Sequence, residues 1–407
     1  MAVHSVVRMR PHEEICAEFP GLLEGWAALD GAAGTQVPGR VVEAVAGGLR
    51  SAMANVHGRF AASQVSTEVV AAARQAVADL LGGAADGVVF GPNMTTLTFH
   101  IADALSAQWS PGDEIIVTSL DHDANIRPWM RAAERAETTV RWAELDPQTG
   151  ELDPAMFDPL LSERTRLVAV TAASNAIGTK PDVRAICDRA HAAGALTYVD
   201  GVHATPHGPT DVAALGADFY VFSAYKLFGP HAGAVIAEPA LLETLHPAKL
   251  VPSPDHAPDR FERGTPAFEQ LVGITAAIDW IADLTDAPGS RRQRVLAALA
   301  GTESYLAGLL DHALGGLAQA DGVSVLGAPR RRTSTVSFVV DGHTPAEVAE
   351  HLALRRVAVW DGDNYAYELM GRFGLRETGG AVRASLVLYN TVGDVDQLLA
   401  ALSELAR

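Results

Sequence analysis

Residues 221–233 read VFSAYKLFGPHAG: an apolar run closing on Ser223, then Tyr225 and a single lysine, Lys226, ahead of a Gly-Pro turn. A lysine just past a buried strand is placed to lose its proton, because desolvation and nearby positive charge both lower its pKa. Taken alone, such a residue is more often a snorkelling surface lysine. Residues 196–208, LTYVDGVHATPHG, end a similar apolar run in Asp200, with His203 close behind. A lone aspartate there more often caps a turn or a helix. The fold follows from asking what kind of sheet puts both residues at strand ends.

Working outward, short runs that are apolar throughout alternate with helical patterns: GVVFGPN, DEIIVTS, TTVRWAEL, RLVAVTAAS, ALTYVDG and DFYVFSA. Strands without polar alternation, separated by helices, predict a mainly parallel sheet covered on both faces. GAVIAEP reads as a return that adds an antiparallel strand. Between residues 67 and 83, Val69, Val70, Ala73, Val77, Leu80 and Leu81 form one helical stripe that Gly82 ends. Beyond about residue 285 the pattern changes to a long Ala/Leu/Arg-rich helix, TSTVSFVVD, a helix at TPAEVAEHLAL, RRVAVW, VRASLVLYN and a closing amphipathic helix. The expectation is an α/β chain with a large domain over residues 21–285 and a smaller α+β domain from 1–20 and 286–407.

Composition narrows the partners. The 407 residues carry a formal net charge of −18, which argues against unaided binding to nucleic acid or an anionic membrane. Hydrophobic residues make 48% and charged residues 20%, the balance of a soluble globular protein. No run approaches the roughly 18 apolar residues of a membrane span. The opening MAVHSVVRMRPHEE lacks the apolar core of a signal peptide. Only Cys16 and Cys187 are present, so neither a disulfide framework nor a structural metal site is expected, and a reducing cytoplasm fits.

In open α/β sheets, ligands lie beyond the carboxyl ends of the strands. Thr95 and Thr96, His122, Asn175, Asp200 and His203, and Ser223, Tyr225 and Lys226 all follow such ends. Polar loops are common there, but five in register point to one site. Lys226 and Asp200 together match the needs of pyridoxal 5'-phosphate (PLP), a neutral amine for its aldehyde and a carboxylate for its pyridine nitrogen. Thr95, Thr96 and Ser223 supply hydroxyl and helix-start donors of the kind a phosphate takes, although ordinary capping produces the same pattern.

The ordered motifs DHDANIRPW, ASNAIGT, VDGVHATPHG, FSAYKLFGP, RFERGTP and VRASLVLYN, with LDGAAGTQVPGRVVEAV and ANVHGRFAASQ before them, resemble the class V aminotransferase family. The similarity runs from about residue 28 to the end and is nearest the cysteine desulfurase-like branch, in members lacking that enzyme's active cysteine. It implies the PLP-dependent transferase fold type I with a seven-stranded sheet. Lys226 would hold PLP and shuttle the α-proton, Asp200 would pair with the pyridine nitrogen, and His122 would stack on the ring. Asn175 and His203 would approach the ring hydroxyl, although desulfurases usually carry Gln in place of His203. Tyr225 stands where they usually have His. Thr265 would reach the phosphate of a partner subunit, so a homodimer with a shared site is implied. Arg383 would clamp the substrate carboxylate.

The desulfurase cysteine loop corresponds to VAVWDGDNYA, with Tyr365 in the cysteine's place and Trp360 where Arg is common. Both are expected to face the substrate and set its choice. Cys187 falls inside a helical pattern and reads as a buried structural residue. The first expectation is therefore a C–S β-lyase working without an enzyme persulfide. An aminotransferase, and an epimerase or other carbon-centred PLP step, stay open beside it.

Overall fold

The computed structural model describes residues 7–51 and 53–405. The first six residues of the expected 1–20 segment and the last two of the chain lie outside that range. Seven strands form the principal sheet, in the spatial order Val88–Gly91, Gly233–Ala237, Phe219–Ser223, Leu196–Asp200, Thr165–Thr171, Glu114–Thr118 and Thr139–Ala143. All neighbours run parallel except at Gly233–Ala237, which pairs antiparallel on both sides. The antiparallel return expected at GAVIAEP is this strand. Every residue of Glu114–Thr118, Phe219–Ser223 and Gly233–Ala237 is buried.

Those continuous apolar runs serve two cores at once. Successive side chains of a strand point to opposite faces. Val168, Val170, Val199, Tyr220, Phe222 and Ile236 accordingly enter one apolar cluster. Leu167, Ala169, Tyr198, Val221 and Val235, one residue out of step, enter the other. The edge strand Thr139–Ala143 instead alternates exposed and half-buried residues, as an edge does.

The helix expected from residue 67 spans Ala61–Leu81 and stops at Gly82 in the left-handed conformation, φ 82°. It starts earlier because Ser63 is fully buried and tied to the preceding loop: its hydroxyl donates to the Asn55 carbonyl and accepts the Gly58 N–H. Polar residues there hide the start from a periodicity argument.

A second, three-stranded antiparallel sheet orders Val382–Ser385, Thr335–Val340 and Val323–Val325. It packs with Val348, Leu352, Leu398 and Leu402 into a third cluster. The long helix Arg291–Leu317 is shared, its Val295, Ala298 and Leu299 joining the first cluster and Leu306–Leu317 side chains the third. Ile15 and Phe19 pack in the first cluster, and the Arg10 N–H donates to the Leu284 carbonyl at 2.8 Å. No helix among the described residues is long and apolar enough to cross a membrane.

Candidate active site

Strand register brings the site together. Thr171 pairs with Asp200, and Asp200 with Val221, so the carboxylate sits at the carboxyl edge of the parallel strands. Ser223 pairs with Gly233 and Gly233 with Gly91, which sets the turn before the helix Met94–Ser106 beside Ser223. Gly233 is needed for that approach: a Cβ there would stand 2.7 Å from the Asn93 carbonyl carbon and 2.9 Å from the Met94 nitrogen. A cavity of about 500 Å³ opens at this edge. Thr95, Thr96, His122, Asn175, Asp200, His203, Ser223, Tyr225 and Lys226 all line it, as do Asn93 and His231.

Lys226 ends the short turn Ala224–Lys226 that follows the strand, and only 7% of it is exposed. Burial, and then the charge of Arg383, lower its pKa from 10.5 to about 8, against the opposing pull of Asp200. Asp200 is pushed up to about 6 by burial, while the Val202 N–H, 2.9 Å from Oδ1, and the charge of Lys226 favour its ionised form. The two form no ion pair within 4.0 Å, so the cavity lies between opposite charges that do not neutralise each other directly.

His122 is neutral, its pKa lowered to about 3 by burial and by the charges of Lys226 and Arg383. Its Nδ1 accepts the Ala124 N–H at 3.0 Å, which leaves the ring proton on Nε2. Beneath it, buried Asp121 accepts from Thr118 and from Asn125 Nδ2, and the Trp129 indole donates to Asn125 Oδ1 at 3.0 Å. His203 is held from behind, with Nε2 2.9 Å from the Thr335 hydroxyl and 3.1 Å from that of Thr333. Thr335 in turn lies 2.6 Å from the Ser385 hydroxyl.

Asn175 donates from Nδ2 to the Asn364 carbonyl at 2.8 Å, while its Oδ1 is buried with no hydrogen-bond partner among the described residues. Asn93 caps the helix Met94–Ser106 by accepting the Thr96 N–H at 2.9 Å. The Met94 N–H donates to Ser223 Oγ at 2.9 Å, which leaves the Ser223 hydroxyl hydrogen free to donate elsewhere.

Four of the sequence candidates stand outside the cavity lining. Arg383 is buried on Val382–Ser385, and its guanidinium donates to the Asn175 carbonyl at 3.0 Å. Its pKa falls to about 10 through burial, so it stays cationic at neutral pH. Trp360, half exposed, exchanges backbone hydrogen bonds with Arg383. Tyr365 is 71% exposed, and its ring stacks on His122 with centroids 5.4 Å apart and planes 17° apart. Thr265 is exposed and lines a neighbouring cavity of about 540 Å³ with Phe99 and Phe261. Neither Cys16 nor Cys187 lines the main cavity, and burial pushes both thiols up to about 11.

Sequence reasoning missed His231, whose ring stacks on Tyr225 with centroids 5.0 Å apart. It also missed Thr333 and Thr335 behind His203. His231 sits in the quoted lysine stretch and offered a signal, while Thr335 opens a strand far along the chain, Thr333 lies just before it, and neither offered one.

The donor set fits PLP. The hydroxyls of Thr95, Thr96 and Ser223 and the helix-start N–H groups are donors of the kind a phosphate takes. Asp200 offers a buried carboxylate, Lys226 an amine of lowered pKa, and Asn175 Oδ1 lacks a donor that a bound group would supply.

The class V aminotransferase family model matches residues 27–398. A probable cysteine desulfurase of Pseudomonas aeruginosa is 36% identical over 404 residues, covering 95% of this chain and 96% of that protein. A cysteine desulfurase of Yersinia pestis is 33% identical over 418 residues, covering 98% of each. Among solved structures, the Escherichia coli cysteine desulfurase CsdA superposes with a TM-score of 0.85 at 30% identity, covering 98% of each chain. The apo cysteine desulfurase of Thermococcus onnurineus gives 0.89 at 28% identity, covering 98% of this chain and 99% of that one. The chain thus belongs to the class V aminotransferase family, as a PLP-dependent enzyme of cysteine desulfurase-like type.

Proposed function

We propose that the chain is a C–S β-lyase: it acts at the α-carbon of an amino acid whose β-carbon bears sulfur, and it forms no enzyme persulfide. The observation that carries this reading is the chemistry of the two thiols. Both have pKa values near 11 and neither lines the cavity; the loop that resembles the desulfurase nucleophile loop carries Tyr365 where the resemblance puts the cysteine, and a phenol does not form a persulfide.

PLP, when bound, supplies an aldehyde that captures the substrate amine and a ring that accepts electrons from its α-carbon. The chain's residues do the rest. Lys226 would anchor the cofactor and, as a neutral amine, would take the α-proton at Nζ. Asp200 would keep the pyridine nitrogen protonated, and His122 would exclude water from the ring. Asn175 and His203 would serve the ring hydroxyl, and Thr95, Thr96, Ser223 and Tyr225 would hold the phosphate. Arg383 orients the substrate carboxylate, with Trp360 and Tyr365 at the mouth. The Cβ–S bond then breaks with its electron pair leaving on sulfur. A substrate such as a disulfide or thioether conjugate carries that sulfur away itself.

A second copy of the chain completes the site by bringing its own Thr265 to the phosphate, which the exposure of that residue supports. The two unpaired cysteines support a cytoplasmic setting.

The test is an amino-acid panel with product mass spectrometry. A lyase releases keto acid, ammonia and a sulfur product through many turnovers. One equivalent of keto acid, stopping until a second keto acid is added, assigns an aminotransferase instead. Solvent deuterium at the α-carbon without net product assigns an epimerase.

A further inference from the structure

We propose that Tyr365 is a positioning residue that acts through His122: its ring backs the imidazole and holds it flat toward the cavity. This rests on the PLP reading above, in which His122 covers the ring, and adds to it a role that no sulfur-accepting residue in that loop would fill.

Four observations converge on the loop. The Tyr365 and His122 rings lie 17° from parallel with centroids 5.4 Å apart. The Tyr365 carbonyl accepts the Asp123 N–H at 2.7 Å, so backbone as well as ring ties the loop to the residue beside His122. One residue earlier, the Asn364 carbonyl accepts Nδ2 of Asn175 at 2.8 Å. A single loop therefore holds two cavity-lining side chains.

The fourth observation is the backbone itself. Asn364 and Tyr365 both sit in the left-handed region, φ 54° and 55°. Non-glycine residues persist there only where surrounding contacts over-determine the conformation. Here the Tyr365 N–H donates to Asp363 Oδ1 at 2.9 Å, Asn364 Nδ2 donates to the Gly362 carbonyl at 3.1 Å, and that carbonyl also takes the Ala381 N–H at 3.0 Å. The strain is maintained while 71% of the Tyr365 surface faces solvent, so burial of its own side chain does not explain it. What it secures is the stack.

The Nδ1 bond from Ala124 fixes the imidazole edge but leaves the ring free to tilt about it. A stacked phenol removes that freedom and keeps water off one face. The charges acting on His122 are those of Lys226 and Arg383; in the chain it is flanked by Asp121, which burial raises to about 8, and by Asp123, paired with Arg127, and Asp363 lies in the facing loop.

Two exposed-site variants test this, Tyr365→Phe and Tyr365→Ala. The first readout is the NMR titration of the His122 imidazole in cofactor-free protein. Wild type and Tyr365→Phe stay neutral to below about pH 5, whereas Tyr365→Ala admits water and titrates higher by more than about one pH unit. The second readout is kinetic. Tyr365→Ala loses about 10- to 100-fold in kcat with KM little changed, as expected for a misplaced group, and Tyr365→Phe, which keeps the ring, loses less in kcat than Tyr365→Ala. An unchanged His122 titration in Tyr365→Ala overturns the proposal. So does equal damage in Tyr365→Phe, which would assign the role to the hydroxyl and the substrate. The titration needs no cofactor, so its failure is distinct from failure of the PLP reading, which would appear as wild-type protein that takes up no PLP.

Discussion

Lys226 carries a cost in the unliganded fold. With its pKa near 8 rather than 10.5, the buried ammonium is penalised wherever it is charged. Below about pH 8 the folded and unfolded states both hold the proton and the full penalty applies. Between about 8 and 10.5 the unfolded state binds more protons, so stability recovers as pH rises. Apo Lys226→Met should therefore melt higher than apo wild type at pH 7, with the gap closing as pH approaches 10.5; calorimetry of the two proteins checks it, and a variant that melts lower contradicts it. The same residue should bind PLP faster as pH rises toward 8, since only the free amine attacks the aldehyde. Asp200→Asn should leave the fold intact, because the carboxylate is itself raised to about 6 by burial, but lower kcat by about 100-fold or more. Turnover within a few-fold of wild type would remove Asp200 from its assigned role.

At the scale of elements, the start of the helix Met94–Ser106 and the strand Gly233–Ala237 meet beside Ser223, where the proposed phosphate site lies. Asn93→Ala removes the side chain that caps Thr96, a change worth about 1 kcal/mol. PLP retention on dialysis should fall with it. Gly233→Ala is the harsher change, since a methyl there meets the Asn93 and Met94 backbone below 3.0 Å, and crowding of this kind costs about 1–3 kcal/mol. Thermal unfolding of the cofactor-free variants should rank Gly233→Ala below Asn93→Ala below wild type; the reverse order would mean that the turn is looser than its contacts indicate. These elements were legible in the sequence because fully buried strands read as unbroken apolar runs, and their ends named Ser223, Asp200 and Thr95 directly. The start of Ala61–Leu81 was not, because a buried serine tied to a loop carries no periodic signal.

At the scale of the whole molecule, the parts of the site hidden from sequence are those supplied across long chain separations. Thr333 and Thr335 reach His203, with Ser385 behind Thr335, only because residues of the C-terminal sheet and the segment before it come up against the large sheet's strand ends. Tyr365 reaches His122 for the same reason. The proposed role of Thr265 would add one more long-range step, from one copy of the chain to another. If each site borrows it from the neighbouring copy, Lys226→Ala protein mixed with Thr265→Ala protein under exchanging conditions should give more activity than the two measured apart. Activity equal to their sum would place Thr265 outside its partner's site.

The central claim is that one buried amine anchors the cofactor at the carboxyl edge of the parallel strands. Wild-type protein loaded with PLP, reduced with borohydride, digested and mapped by mass spectrometry tests it most directly. The account requires the pyridoxyl group on Lys226 in the peptide that contains VFSAYKLFGP, with no label on Lys180 or Lys249. Label on another lysine, or none after loading, would contradict it.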